Sequence, residues 1–182
     1  MYYYGDKKTN KWEIVGVFWM IIVGSLLHFT YEWSNNLTFV GVISSINESV
    51  WEHLKLGYWS LIFFSLIEYP AIKRYVNSFL LGKALGIVVL EATIIGVFYS
   101  YTDIIKRSIL WVDISSYVLG AIFCQWISSS MIKKKFSRTS ETIGLIIFIV
   151  LGFAFIVFTF YPPKLPIFMD PITKTYGIYK LK

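Results

Sequence analysis

The sequence predicts an all-α fold, a polytopic transmembrane helix bundle of about five spans, N-in/C-out, with a Pro-rich C-terminal tail. Three observations carry that expectation. Hydrophobic residues make up 56% of the chain and charged residues only 15%, a balance suited to lipid rather than water. The apolar residues fall in runs of about 20, enough to cross a core of about 30 Å at about 1.5 Å per residue. Lys and Arg, finally, gather in short clusters between the runs, as topology signals do. No stretch is polar enough for a separate soluble unit, so residues 1–182 read as a single integral membrane domain.

The first span, near 12–33, follows Lys7, Lys8 and Lys11. No small-x-small cleavage site follows it, so it reads as a retained helix rather than a signal peptide. The later spans are expected near 50–71, 79–101, 109–132 and 143–161. Between the first two, Thr38–Ile43 is apolar but too short to span, and it sits in a connection without Lys or Arg. A re-entrant piece and a loop packed on the bundle both fit. In the tail, 162–182, Pro162, Pro163, Pro166 and Pro171 forbid a continuous helix. That segment either folds back as a lid over the outer helix ends or rests on the headgroups.

N-in orientation places Lys7, Lys8, Lys11, Lys73, Arg74, Lys83, Lys133, Lys134, Lys135 and Arg138 inside. Lys106, Arg107, Lys164, Lys174, Lys180 and Lys182 are then outside, an asymmetry of the positive-inside kind. The net charge of +6 is scattered rather than gathered on one face, which argues against a nucleic-acid partner. The expected partner is the lipid bilayer, joined by a membrane-protein partner or a second copy in a homo-oligomer. Cys124 is the sole cysteine, which excludes an intrachain disulfide and a cysteine-rich metal motif.

Ionisable groups at membrane depth are costly and tend to face a bundle interior or a water-filled cavity. His28 and Glu32 lie four apart at the end of the first helix. Glu48 and Glu52 lie four apart at the start of the second, beside Asn47, His53 and Lys55. Asp113 falls in the first turn of the fourth helix, and the expected topology brings all three helix ends to the outer side. Imidazoles and carboxylates are ligand types that zinc and related divalent metals accept. On this reading His28, Glu32, Glu52 and His53 form the metal-ligand pool, and Glu48 is the catalytic acid/base. A purely structural reading stands beside it. Ser45-Ile-Asn-Glu48 fits a capping box, Lys55 can pair with Glu52 or Glu48, and no His-Glu-x-x-His motif is present.

Away from this cluster, Glu91 lies mid-span in the third helix, where a carboxyl is a candidate proton or cation site. Glu68, close to Lys73 and Arg74, reads as one half of an interfacial ion pair. Gly82, Gly86, Gly120, Cys124 and Ser128 form small-residue stripes that predict close helix packing. Trp12, Trp33, Tyr99, Tyr101, Trp111 and Tyr161 flank the runs as interface anchors.

The stretches His28-Phe-Thr-Tyr-Glu32-Trp33 and Asn47-Glu-Ser-Val-Trp-Glu-His-Leu-Lys55 carry a resemblance, as do Pro162-Pro163 and Asp170-Pro-Ile-Thr-Lys-Thr-Tyr-Gly177. Over nearly the whole chain the sequence resembles a family of small bacterial polytopic membrane proteins classed as a domain of unknown function. The resemblance implies a multi-pass protein of the bacterial cytoplasmic membrane, and it assigns no residue a role. It draws Asp170 into the set of interest.

Three functions stay open at this stage. One is a metal-dependent hydrolase or transferase acting on a lipid-linked substrate. The second is a small solute or ion transporter, or a transporter subunit, with Glu91 as coupling site. The third is a non-catalytic membrane assembly protein in which the polar cluster is structural.

Overall fold

The structure, a computed structural model, describes residues 2–178; Lys180 and Lys182, counted above among the outer charges, lie outside the described residues. Five long helices follow one another: α1 (Tyr2–Trp33), α2 (Val50–Ile72), α3 (Phe79–Ile105), α4 (Leu110–Ile132) and α5 (Arg138–Phe160). Two short 3-10 turns, Val40–Val42 and Pro166–Phe168, sit in the connections.

The helices outrun the apolar stretches. α1 starts at Tyr2 rather than near 12, α3 continues to Ile105, and α5 starts at Arg138 rather than near 143. Intrahelical hydrogen bonds do not depend on the solvent, so polar turns continue the helix past the apolar run. Among the described residues four helices are long and apolar enough to cross a membrane: Gly5–Trp33, Phe79–Ile105, Leu110–Ile132 and Arg138–Phe160. This is consistent with a multi-pass membrane protein. Phe18, Ile22, Ile149, Val150 and Phe153 point outward, as a lipid-facing surface requires.

α2 differs from the other four. It buries Glu52, Lys55 and Glu68 together with Leu54, Leu61 and Phe64, and packs against α1, α3 and α5. A helix walled by protein can carry charges that a lipid-facing one cannot, because the neighbouring helices supply the partners. Ser49 caps its start by accepting from the Glu52 backbone N–H at 3.4 Å. The expected box from Ser45 to Glu48 does not form, since the helix begins only at Val50, and Ser45 instead donates to the Asn47 carbonyl.

α3 packs most extensively against α4. The small-residue stripes are the reason: a Cβ at Gly86 would meet the Cys124 carbonyl oxygen at 2.7 Å, and one at Gly120 would press on Leu90. α5 closes onto α3 through Glu141, whose carboxylate accepts from the free backbone N–H groups of Leu80 and Leu81.

The connection between α1 and α2 is a packed loop. Ser44 accepts from Tyr31 N–H and donates to the Leu27 carbonyl, and Trp59 donates to the Val42 carbonyl. At the end of the bundle where α1 begins, which also carries the Lys133–Arg138 cluster and is called the basic end below, Glu68 corrects an expectation. It is fully buried and pairs with Lys83, not with the exposed Lys73 and Arg74. Lys83 is likewise enclosed and marks no membrane boundary. Glu13 of α1 joins the same pair at 3.0 Å from Lys83 Nζ.

Candidate metal centre

The opposite end of the bundle gathers His28, Glu48 and His53. His28 projects from the last turns of α1, Glu48 from the loop just before α2, and His53 from the first turn of α2. The Nε2 atoms of both imidazoles lie 3.5 Å from Glu48 Oε2, and the two rings are 5.3 Å apart between centroids. One donor atom from each residue falls within 4.8 Å of the other two.

The backbone sets the chemistry of His53. Its Nδ1 lies 2.9 Å from the Ser49 carbonyl oxygen, which only a protonated Nδ1 can satisfy. Nε2 then faces Glu48 either as an imidazolium donor or as a bare lone pair. In the neutral form two lone-pair atoms confront each other, an arrangement that calls for a cation between them. His28 Nδ1 is buried without a hydrogen-bond partner among the described residues, so Glu48, at its Nε2, is the neighbour that bears on its protonation. Hydrogen bonds with His28 and then His53 hold the Glu48 carboxyl well below the usual carboxylate range. Glu48 Oε2 is thus ready as an anionic donor.

Beside the three donors opens a cavity of about 660 Å³. Its walls are mainly apolar, with Ile21, Phe29, Ile94, Phe98 and Ile114 among them; His28, Glu48, His53 and Asp113 are its ionisable acids and imidazoles, and Ser25, Ser108, Ser116 and Tyr117 add hydroxyl groups. Asp113 accepts from the Tyr101 hydroxyl at 2.6 Å, and Tyr101 in turn accepts from the Ile109 backbone N–H. The first turn of α4 is thereby oriented toward the cavity.

The tail folds back over this end. Asp170 is buried and accepts from the backbone N–H groups of Ile172, Thr173 and Glu48. Asn47 donates to the Gly177 carbonyl, and Pro171 and Ile172 line the cavity. Gly177 adopts a φ of +64° against Pro162, a left-handed conformation that suits glycine.

The remaining residues singled out from the sequence go elsewhere. Glu32 is exposed and stands outside the three-donor group, although it lines a neighbouring polar cleft to which His28 and Glu48 also contribute. Glu52 is buried, 2.5 Å from Lys55 Nζ, and accepts from Ile46 N–H. Lys55 completes its shell with the Gly41 carbonyl and the Thr159 hydroxyl. Glu91 stands apart on α3, with a carboxyl oxygen that is buried and unpartnered among the described residues. The i, i+4 rule joined Glu48 to Glu52 and His28 to Glu32. Because Glu48 precedes the helix, its side chain swings to the histidines instead.

Residues 1–178 match a family of unknown function, DUF6512. The chain belongs to that family. No curated protein and no solved structure matches it. For this family member the geometry above therefore carries the functional reading.

Proposed function

We propose that the protein is a metal-dependent hydrolase or transferase of the bacterial cytoplasmic membrane, oriented N-in/C-out, that acts on a lipid-linked substrate at its outer face. The single observation that supports this reading is the convergence of His28, His53 and Glu48 on the wall of a mainly apolar cavity. Two imidazoles and a carboxylate are a donor set of catalytic zinc sites, which keep a position open for water or substrate. The residues present suit such an ion: the Ser49 carbonyl holds His53 with Nε2 turned inward, and Glu48 supplies the negative charge.

A divalent ion held there supplies Lewis acidity. The protein's own groups do the rest. Glu48, expected from the sequence as the acid/base, takes a place among the donors. Asp113, on the cavity wall and oriented by Tyr101, is the group placed to accept a proton. The apolar walls take an acyl or isoprenoid chain and leave its headgroup among the histidines, while Pro171 and Ile172 cover the cavity.

Metal analysis of protein purified without chelators tests the reading. Near-stoichiometric zinc or another divalent metal is expected, and its loss in an H28A/H53A double variant that still folds. Absence of metal, with no thermal stabilisation on adding zinc, would overturn it. A transport reading draws on Glu91, whose buried carboxyl oxygen lacks a partner among the described residues. It requires that E91Q alter solute uptake into vesicles.

A further inference from the structure

The basic end of the bundle holds a second cluster, built from Glu13 of α1, Glu68 of α2, Lys83 of α3, and Gln125 and Ser128 of α4. The side chains of Lys83 and Glu68 are 0% exposed and that of Glu13 is 3% exposed. Lys83 Nζ lies 3.0 Å from Glu13 Oε2 and 2.5 Å from Glu68 Oε2, and donates to Gln125 Oε1 at 3.1 Å. An ammonium carries three hydrogens, and three acceptors already surround Lys83: hydrogen bonds go to Glu13 and Gln125, and Glu68 is held as an ion pair. Ser128 spends its hydroxyl on Glu13 Oε1, and the Gln125 amide turns to Met20 Sδ. Both Glu68 oxygens are enclosed without a hydrogen-bond partner among the described residues: Oε2 has the Lys83 ammonium as an ion-pair partner, and Oε1 has none.

Charge gives the same result independently. Two carboxylates face one ammonium, so the fully ionised cluster carries one uncompensated negative charge in a protein interior, which is costly. Other titratable groups nearby do not cancel it. Cys124, on α4, is an uncharged thiol, and Lys133 donates from Nζ to Asn10 Oδ1 at 2.7 Å, toward the exposed rim.

We propose that this cluster is a proton-binding site in which Glu13 and Glu68 share one exchangeable proton, seated at the otherwise unpartnered Glu68 oxygen. The proton comes from water at the basic end, converts one carboxylate to a carboxylic acid, and returns there on release. That end is the nearer one to the cluster: Asn10, three residues before Glu13 on α1, is exposed, and Ser129 and Lys133 of α4 donate to its side chain there. A metal ion fits less well than a proton. It needs several uncommitted oxygens, and Glu13 Oε2 and Gln125 Oε1 already accept from Lys83.

Infrared spectroscopy of the full chain in lipid nanodiscs tests the proposal, in an E91Q background that removes the signal of Glu91. A carboxylic-acid C=O band that shifts in D2O is expected at neutral pH. E68Q and E13Q should each lower it by the same one-carboxyl amount, because the surviving carboxylate then pairs with Lys83. K83M should raise it by one carboxyl, since both acids are then neutral. If one glutamine variant fails to fold, the other gives the same readout. Overturning results are a band unchanged in the folded glutamine variants, or a band that sodium or potassium abolishes while raising the melting temperature.

Discussion

The two ends of the bundle use similar residue types to opposite effect. At the basic end, Glu13, Glu68 and Lys83 are sealed by four helices and satisfy one another almost completely. At the other end, His28, Glu48 and His53 remain a quarter to two-fifths exposed, at 26%, 42% and 34%, and open onto a cavity. The difference lies in what closes each cluster. A buried ammonium holds the first together, whereas the second presents two imidazoles and a carboxylate with no Lys or Arg paired to them among the described residues. A sealed cluster is an element of the fold that can hold a proton. An open cluster of donor atoms is what the proposed metal reading requires.

The sharpest way to break this comparison is to remove the central cation. K83M should cost about 3–5 kcal/mol in detergent-unfolding experiments, because Glu13 and Glu68 lose their buried cation and must both take up a proton to stay inside. A loss below about 1 kcal/mol would mean that the basic-end cluster is wetter than its burial indicates. Next in size is ligand stabilisation at the histidine end. Zinc at about 100 times its Kd should add about 2.7 kcal/mol to the wild type and nothing to H28A/H53A. Equal stabilisation of both would place the metal elsewhere.

A smaller effect belongs to the tail. D170N weakens the acceptor for Ile172 and Thr173 and should cost about 1 kcal/mol, read out as faster proteolysis after the exposed Lys174. An unchanged cleavage rate would detach the tail from the site. The smallest concerns acid. The Glu48 carboxyl sits well below its usual range because of His28 and His53, so its folded pKa is depressed relative to the unfolded chain. Its stabilisation is therefore complete above the unfolded value, about 4.3, and is lost as pH falls toward the folded one. At 42% exposure solvent screens the interaction, so E48Q should flatten the acid limb of the stability profile by no more than about 1 kcal/mol.

Much of the fold was legible because lipid imposes a simple rule: apolar runs of the right length become helices. All five long helices overlap the runs seen in the sequence, and only their polar ends were missed. The candidate cluster was legible in part. His28, Glu48, His53 and Asp113 were all singled out, yet Glu32 and Glu52 were grouped with the histidines by helical spacing. Spacing could not reveal that Glu48 lies before the helix start, nor that Lys55 takes Glu52 for itself. Glu13 carries a signal of its own, since a lone acid inside an apolar run needs a buried partner, and Lys83 on α3 answers it.

The sequence by itself determined that the chain is helical, apolar and interrupted by costly charges, because hydropathy and helix period are local properties. Which charge meets which was decided only by tertiary structure. Glu68 lies nearer in sequence to Lys73 and Arg74 than to Lys83, yet the packing of α2 against α3 buries it with the more distant lysine. Inside a bundle the cost of an unpaired charge falls steeply only for the partner that shares its burial, and burial is a property of the assembled helices.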